Sequence, residues 1–381
     1  MFLTNRDMVD LVEWRHARHR EPEISGEERE TAAAVVDFLK PSQPDRVLTG
    51  LGGHGVAVVY NGREPGPTVM FRAELDALPI EELTDLHYRS ADPGKGHLCG
   101  HDGHMTIVAA LARGFWRRRP SRGRVVLMFQ PAEETGAGAA AVIADPRFAE
   151  VAPDYAFALH NMPGLPLGHV ELAEGPANCA SRGMRIVLSG KTAHASMPET
   201  GISPMLAVAR LMPDLEGLGA GSSANTAFAM VTITHAAMGE PAFGIAPGRA
   251  EIWATLRTLS DGGMDALVAR AEALAREAGS ASRLAVEITY EDVFHHCEND
   301  PEAVAILRAA LNAEAVTHEP GRPMRASEDF GLFGRRAKAA MFLIGSGETS
   351  PQLHNPDYDF PDALIEPGAR IFMRVAHDLL G

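Results

Sequence analysis

Short runs of consecutive apolar residues, each bounded by turn-forming residues, punctuate the first part of the chain. Gly55-Val56-Ala57-Val58-Val59-Tyr60 and Thr68-Val69-Met70-Phe71 predict strands, as do Arg124-Val125-Val126-Leu127-Met128-Phe129 and Tyr155-Ala156-Phe157-Ala158-Leu159. Continuous rather than alternating apolar character is expected of strands covered on both faces. Residues 28–39 have helical spacing, and 104–116 predicts an apolar helix. Strands interleaved with helices predict an α/β arrangement.

From about Ala180 the pattern changes. A strand over 184–188, a helix over 204–212, strands over 227–234 and 250–256, a helix over 264–278 and a strand over 284–290 give the order β-α-β-β-α-β. That order predicts a ferredoxin-like sandwich of one four-stranded sheet and two helices. After Phe294 the α/β style returns, with a helix over 301–311, a strand over 340–344 and a last helix over 363–380. The expected organisation is a mixed-sheet α/β domain in two parts, 1–179 and 294–381, with a ferredoxin-like α+β domain inserted over 180–293. Two domains also suit 381 residues, more than one hydrophobic core usually serves. Residues 219–225 read as a connection.

A formal net charge of -15 argues against general affinity for nucleic acid or anionic membrane. The one basic run, Arg117-Arg118-Arg119, falls at a helix end, where cations suit the dipole. No apolar stretch near Met1 has the length of a signal peptide or a span, so a cytoplasmic location is expected. Cys99, Cys179 and Cys297 are odd in number and scattered, which is not a disulfide framework.

Candidate chemistry follows the predicted strands at their carboxyl ends. Phe71 leads to Glu74 and Asp76, Phe129 to Glu133 and Glu134, and Leu159 to His160; open α/β sheets bind ligands in the crevice outside those ends. Cys99-Gly100-His101-Asp102-Gly103-His104 is the densest cluster. A thiolate and an imidazole two residues apart suit a transition metal better than Mg or Ca. His104 reads instead as part of the helix that follows. With Glu134, His160 and His354, Cys99 and His101 make a shell for one or two ions, and of the adjacent carboxylates Glu133 and Glu134 one can ligate while the other accepts a proton.

These motifs resemble a known family, the metal-dependent amidohydrolases related to hippurate hydrolase, N-acyl-amino-acid hydrolases and auxin-amino-acid conjugate hydrolases. The resemblance runs from His19-Arg20-Glu21-Pro22-Glu23 through Asp76-Ala77-Leu78-Pro79, Cys99 to His104 and Gln130 to Glu134, then Gly190-Lys191-Thr192-Ala193-His194-Ala195, Ser327-Glu328-Asp329-Phe330 and Leu353-His354. It implies a metallohydrolase catalytic domain and metal ligation by Cys99, His101, Glu134, His160 and His354, with Zn, Mn, Ni or Co as the divalent ion. It further implies Glu133 as general base, Asp76 as a supporting carboxylate, and an inserted lid that dimerises so that His194 stabilises the oxyanion in the partner's site. The expected substrate is an N-acyl amino acid or similar small amide. Glu74 stands where this branch usually has Asp; in the lid, Gly244 replaces an Asn and Ala246 a larger Ile, which would open the pocket wall.

Three rivals remain at this point: a metal-retaining binding protein, a structural metal domain, and a hydrolase of a non-amino-acid acyl or carbamoyl compound. The presence of Glu133 speaks against the first. A structural site would show a closed Cys/His tetrad rather than a shell mixed with carboxylates.

Overall fold

Phe71, Phe129, Phe157 and Phe342 are fully buried, one on each of four neighbouring parallel strands. The computed structural model that places them describes residues 2–222, 225 and 227–381. Of the expected connection over 219–225, positions 223 and 224 lie outside the described residues. The chain forms two units, Met1–Ala177 with Cys297–Arg322 and Asp329–Gly381, and Asn178–His296 with Pro323–Glu328.

In the first unit the sheet runs in the order Arg46–Leu51, Gly55–Asn61, Arg122–Gln130, Glu64–Glu74, Tyr155–Pro163, Lys338–Gly347, Val170–Glu171, His318–Glu319. The four central strands from Arg122–Gln130 to Lys338–Gly347 are mutually parallel. Their apolar runs are continuous because both faces are covered. Val69, Phe71, Val125, Leu127 and Phe157 enter one core with the helices His101–Arg117 and Ile365–Leu380. Met70, Val126, Met128 and Ala156 enter a second core on the other side with Val142, Phe148, Phe330 and Phe333. Phe372 packs 5.0 Å from Phe71 and 5.7 Å from Phe342, centroid to centroid, and each such ring contributes roughly 1.5–3 kcal/mol through its removal from water.

Two helices differ from the periodicity reading. The apolar helix expected over 104–116 starts at His101, directly after Gly100 in a left-handed conformation. Asn5–Arg20 is a helix that hydrophobic spacing does not reveal, because its buried stripe is Asp7, Leu11, Arg15 and His19. Its start is fixed by Thr4, whose side chain accepts from the Asp7 N–H while its own N–H donates to the Asp7 carboxylate.

The second unit has a four-stranded antiparallel sheet ordered Ala229–Met238, Arg249–Thr258, Ala180–Ser189, Ala285–Phe294, with the helices Met205–Glu216 and Asp261–Ala281. Alternation sets its faces: Ala250, Ile252, Ala254 and Leu256 enter the core shared with Met264, Leu267, Ala271 and Ala275, while Arg249 and Trp253 are exposed. This is the ferredoxin-like order expected from the sequence. Among the described residues no helix is long and apolar enough to cross a membrane.

Candidate metal centre

The parallel strands bring the polar clusters to one end of the first unit's sheet. Asp76 follows Glu64–Glu74, Glu133 and Glu134 follow Arg122–Gln130, His160 lies within Tyr155–Pro163, and His354 lies in the loop beyond Lys338–Gly347. Cys99 and His101 flank Gly100, whose φ of 90° suits glycine and whose missing Cβ would stand 2.4 Å from Asn161 Oδ1. Two of the turns are unusual for residues with a side chain. Ala132 has φ 49° and His354 φ 66°, conformations that cost of order 1–3 kcal/mol and cluster at functional sites. The Ala132 N–H donates to Glu28 Oε1 at 2.8 Å, and the His354 N–H to the Leu98 carbonyl at 2.9 Å.

Donor atoms converge in overlapping triads. Cys99, His101 and His160 form one; Cys99, Glu134 and His354 another; His101, Glu133 and Glu134 a third, with the atoms of each within 4.8 Å of one another. Cys99 Sγ lies 3.5 Å from His160 Nε2. Glu134 Oε1 is 3.8 Å from His101 Nε2, and Glu134 Oε2 is 3.6 Å from His354 Nε2. Glu133 Oε2 stands 3.9 Å from His101 Nε2.

Hydrogen bonding to the backbone sets which nitrogen each buried imidazole presents. His101 Nδ1 donates to the Asp76 carbonyl and His160 Nδ1 to the Asn161 carbonyl, both at 2.8 Å. A carbonyl only accepts, so Nδ1 carries the proton and Nε2 is left as the basic atom. His101 Nε2 is buried without a hydrogen-bond partner, an arrangement that suits a ligand atom aimed at a cation.

The electrostatics suit a cation too. Burial pushes the Cys99 thiol well above its usual range, and the negative charges of Glu134 and Glu133 push it further. Burial opposes protonation of His101, but Asp76, Glu74 and Glu134 outweigh it and raise its pKa to about 10. Burial, with the neighbouring His104, lowers His160 to about 3. A thiol, carboxylates and three imidazoles sharing a largely buried site fit a divalent transition metal by donor type.

The remaining sequence candidates divide. Asp76 is fully buried; its Oδ2 accepts from Ser25 Oγ at 2.7 Å and from the Glu134 N–H at 3.0 Å while its backbone carbonyl accepts from His101 Nδ1, which ties His101 and Glu134 to one residue. His104 has both nitrogens engaged, Nδ1 with Glu74 Oε2 at 2.7 Å and Nε2 with Asn161, so it is built into the scaffold. His194 belongs to the second unit, where it is exposed, pairs in register with Ile245 and holds Ser196 Oγ 2.7 Å from its Nδ1. In that unit nothing lies within 4 Å of a Cβ built on Gly244. Glu28, which braces the Ala132 turn, and Tyr358, which contacts the Asn161 side chain, were not visible as site residues in the sequence. Both act through backbone or amide contacts that carry no motif.

An N-acetyldiaminopimelate deacetylase of Exiguobacterium sibiricum is 30% identical over 349 residues, covering 92% of this chain and 94% of that protein. An N-acetylcysteine deacetylase of Bacillus subtilis is 28% identical over 372 residues, 96% of each. Among solved structures, the Bacillus subtilis YXEP protein, described as a dinuclear metal binding peptidase, superposes with a TM-score of 0.84 at 26% identity over 99% of both chains. Residues 70–378 match the model of peptidase family M20/M25/M40, and the chain belongs to that family.

Proposed function

We propose that the chain is a metal-dependent amidohydrolase that cleaves an N-acyl amino acid or similar small amide, with Glu133 as general base. The observation that carries this reading is the Glu133-Glu134 turn. Glu134 lies within 3.8 Å of His101 and 3.6 Å of His354, while its neighbour Glu133 reaches the same cluster at 3.9 Å from His101. Two adjacent carboxylates can thus divide into a ligand and a proton acceptor.

Cys99, His101, Glu134, His160 and His354 would hold one or two divalent ions such as Zn, Mn, Ni or Co. Such an ion supplies Lewis acidity, worth several kcal/mol at a polarised carbonyl and enough to make water acidic near neutral pH. Glu133 takes the proton of the attacking water and returns it to the departing amine nitrogen. Asp76 keeps His101 and the Glu134 backbone in place while this happens. We assign His194 to the developing oxyanion, supplied across a two-fold dimer by the ferredoxin-like unit acting as lid. The resemblance of the His194 motif and the exposure of that side chain support this part of the reading.

The relatives named as deacetylases of N-acetyldiaminopimelate and N-acetylcysteine support an N-acyl amino acid as substrate. Cys99, Cys179 and Cys297 form no disulfide, which suits a reducing cytoplasm. The test is release of amine from a panel of N-acetyl, N-benzoyl and N-carbamoyl amino acids by metal-reconstituted protein. Release from the acyl compounds is expected; metal binding without release from any member would make the chain a binding protein.

A further inference from the structure

We infer that Glu74 and His104 are a buried pair of positioning residues that hold residue 161, and through it the ring of His160, in place for metal capture. Glu74 is fully buried, and its two oxygens face different partners. Oε1 accepts from the Arg72 guanidinium, and Oε2 lies 2.7 Å from His104 Nδ1. Arg72 is itself braced, with Nε donating to Gln130 Oε1 at 2.9 Å and a terminal nitrogen to Asp329 Oδ1 at 2.7 Å.

A carboxylate can only accept, so His104 Nδ1 carries a proton and the ring's orientation is set from the Glu74 side. On its other edge Nε2 lies 3.2 Å from the Asn161 backbone N–H and contacts the Asn161 side-chain oxygen. The next bond in the series is the one that matters for metal: the Asn161 carbonyl accepts from His160 Nδ1 at 2.8 Å and leaves Nε2 facing Cys99 Sγ at 3.5 Å. Residue 161 is therefore gripped at its N–H by His104 and at its carbonyl by His160. Glu74, His101 and His104 also have ligand atoms close together, but both nitrogens of His104 are committed to this chain of bonds, so the cluster serves the shell rather than adding to it.

Reach as well as charge is required of residue 74. An aspartate would end about 1.5 Å short and could not face Arg72 and His104 together from the same backbone position. This inference rests on the reading of His160 as a metal donor, and the experiment separates the two.

Cobalt(II) is the probe, with affinity measured by competition against a chromophoric chelator, the d–d absorption recorded, and thermal unfolding followed on metal-free protein. Glu74→Gln, Glu74→Asp and His104→Gln are each expected to bind cobalt roughly 10–100-fold more weakly, the range typical for loss of a partner behind a ligand, with an altered d–d spectrum. Combining Glu74→Gln with His104→Gln should cost little more than the larger of the two single changes, because both act on one chain of contacts. Three conservative variants guard against any one failing to fold. Wild-type affinity and spectrum in folded variants, with only the melting temperature lowered, would overturn the inference. If His160→Ala itself binds cobalt like wild type, the donor reading fails instead.

Discussion

The Nδ1–H of His160 donates to the carbonyl oxygen of Asn161 at 2.8 Å, which turns Nε2 to within 3.5 Å of Cys99 Sγ. Sulfur and nitrogen are thus paired by the fold. Cys99→Ser should keep the fold and lose metal, because a hydroxyl at neutral pH is a far poorer ligand than a thiolate. Affinity is expected to fall by at least the roughly 10–100-fold seen for losses one step further out, read as metal content after dialysis. Cys179→Ser and Cys297→Ser, outside every donor triad among the described residues, serve as controls. Equal metal content in all three proteins would remove Cys99 from the shell.

Gly100→Ala should disturb the same pair from the other side. Its Cβ would meet the Asn161 side chain at 2.4 Å, on a backbone with φ 90°. Strain of order 1–3 kcal/mol is expected, together with weaker metal binding as Asn161 is displaced. Denaturant titration and metal competition on the same samples check both; a variant matching wild type in each would show that the turn yields without moving Asn161.

The polar stripe of the first helix carries a pH dependence of stability. His19 Nδ1 lies 3.0 Å from Asp102 and Nε2 3.3 Å from Glu82, with Arg15 2.8 Å from the same Asp102. Burial opposes its protonation, but Asp102 and Glu82 outweigh it and raise its pKa to about 9. A folded pKa above the unfolded value of about 6.5 stabilises fully below about pH 6.5 and is lost as pH rises through about 9. The stability gap between wild type and His19→Gln, both saturated with metal, should therefore shrink by on the order of 3 kcal/mol from about pH 6 to about pH 10. A gap that stays constant over that range would mean that His19 does not hold its proton in the fold.

His194 lends itself to a subunit-mixing test. If each lid serves the partner's site, mixing inactive Glu133→Gln with inactive His194→Ala protein restores one intact site in every mixed dimer. Full exchange at equal amounts makes half the dimers mixed, so about a quarter of wild-type sites should recover. Activity that stays at the parents' level, with exchange confirmed by mass, would place His194 outside the partner's chemistry.

Much of this was legible in the residues because the central strands are apolar on both faces and their polar ends stand out against them. Val69, Met70 and Phe71 declare a buried strand, and Glu74 and Asp76 just beyond it declare a site. The helix Asn5–Arg20 was not legible, since the side chains it buries, Asp7, Arg15 and His19, are types that a periodicity reading assigns to solvent. Burial there is satisfied by charge pairing with Asp102 and Arg117, a long-range fact. The bracing of Ala132 by Glu28 was hidden for a similar reason. A backbone N–H offers one donor whatever the residue, so the contact leaves no mark on residue type. His104 shares the helix His101–Arg117 with the candidate donor His101, so helix membership does not separate the two; the two engaged nitrogens of His104 do.

The division of labour within the Glu133-Glu134 turn is the centre of the proposed chemistry, and metal content measured alongside turnover tests it most directly. Glu133→Gln should retain metal at the wild-type level and lose about 10²–10⁴-fold in turnover of an N-acyl amino acid, the usual worth of a general base, whereas Glu134→Gln should lose metal. Loss of metal from Glu133→Gln with retention by Glu134→Gln would reverse the assignment, and full turnover by Glu133→Gln would contradict it.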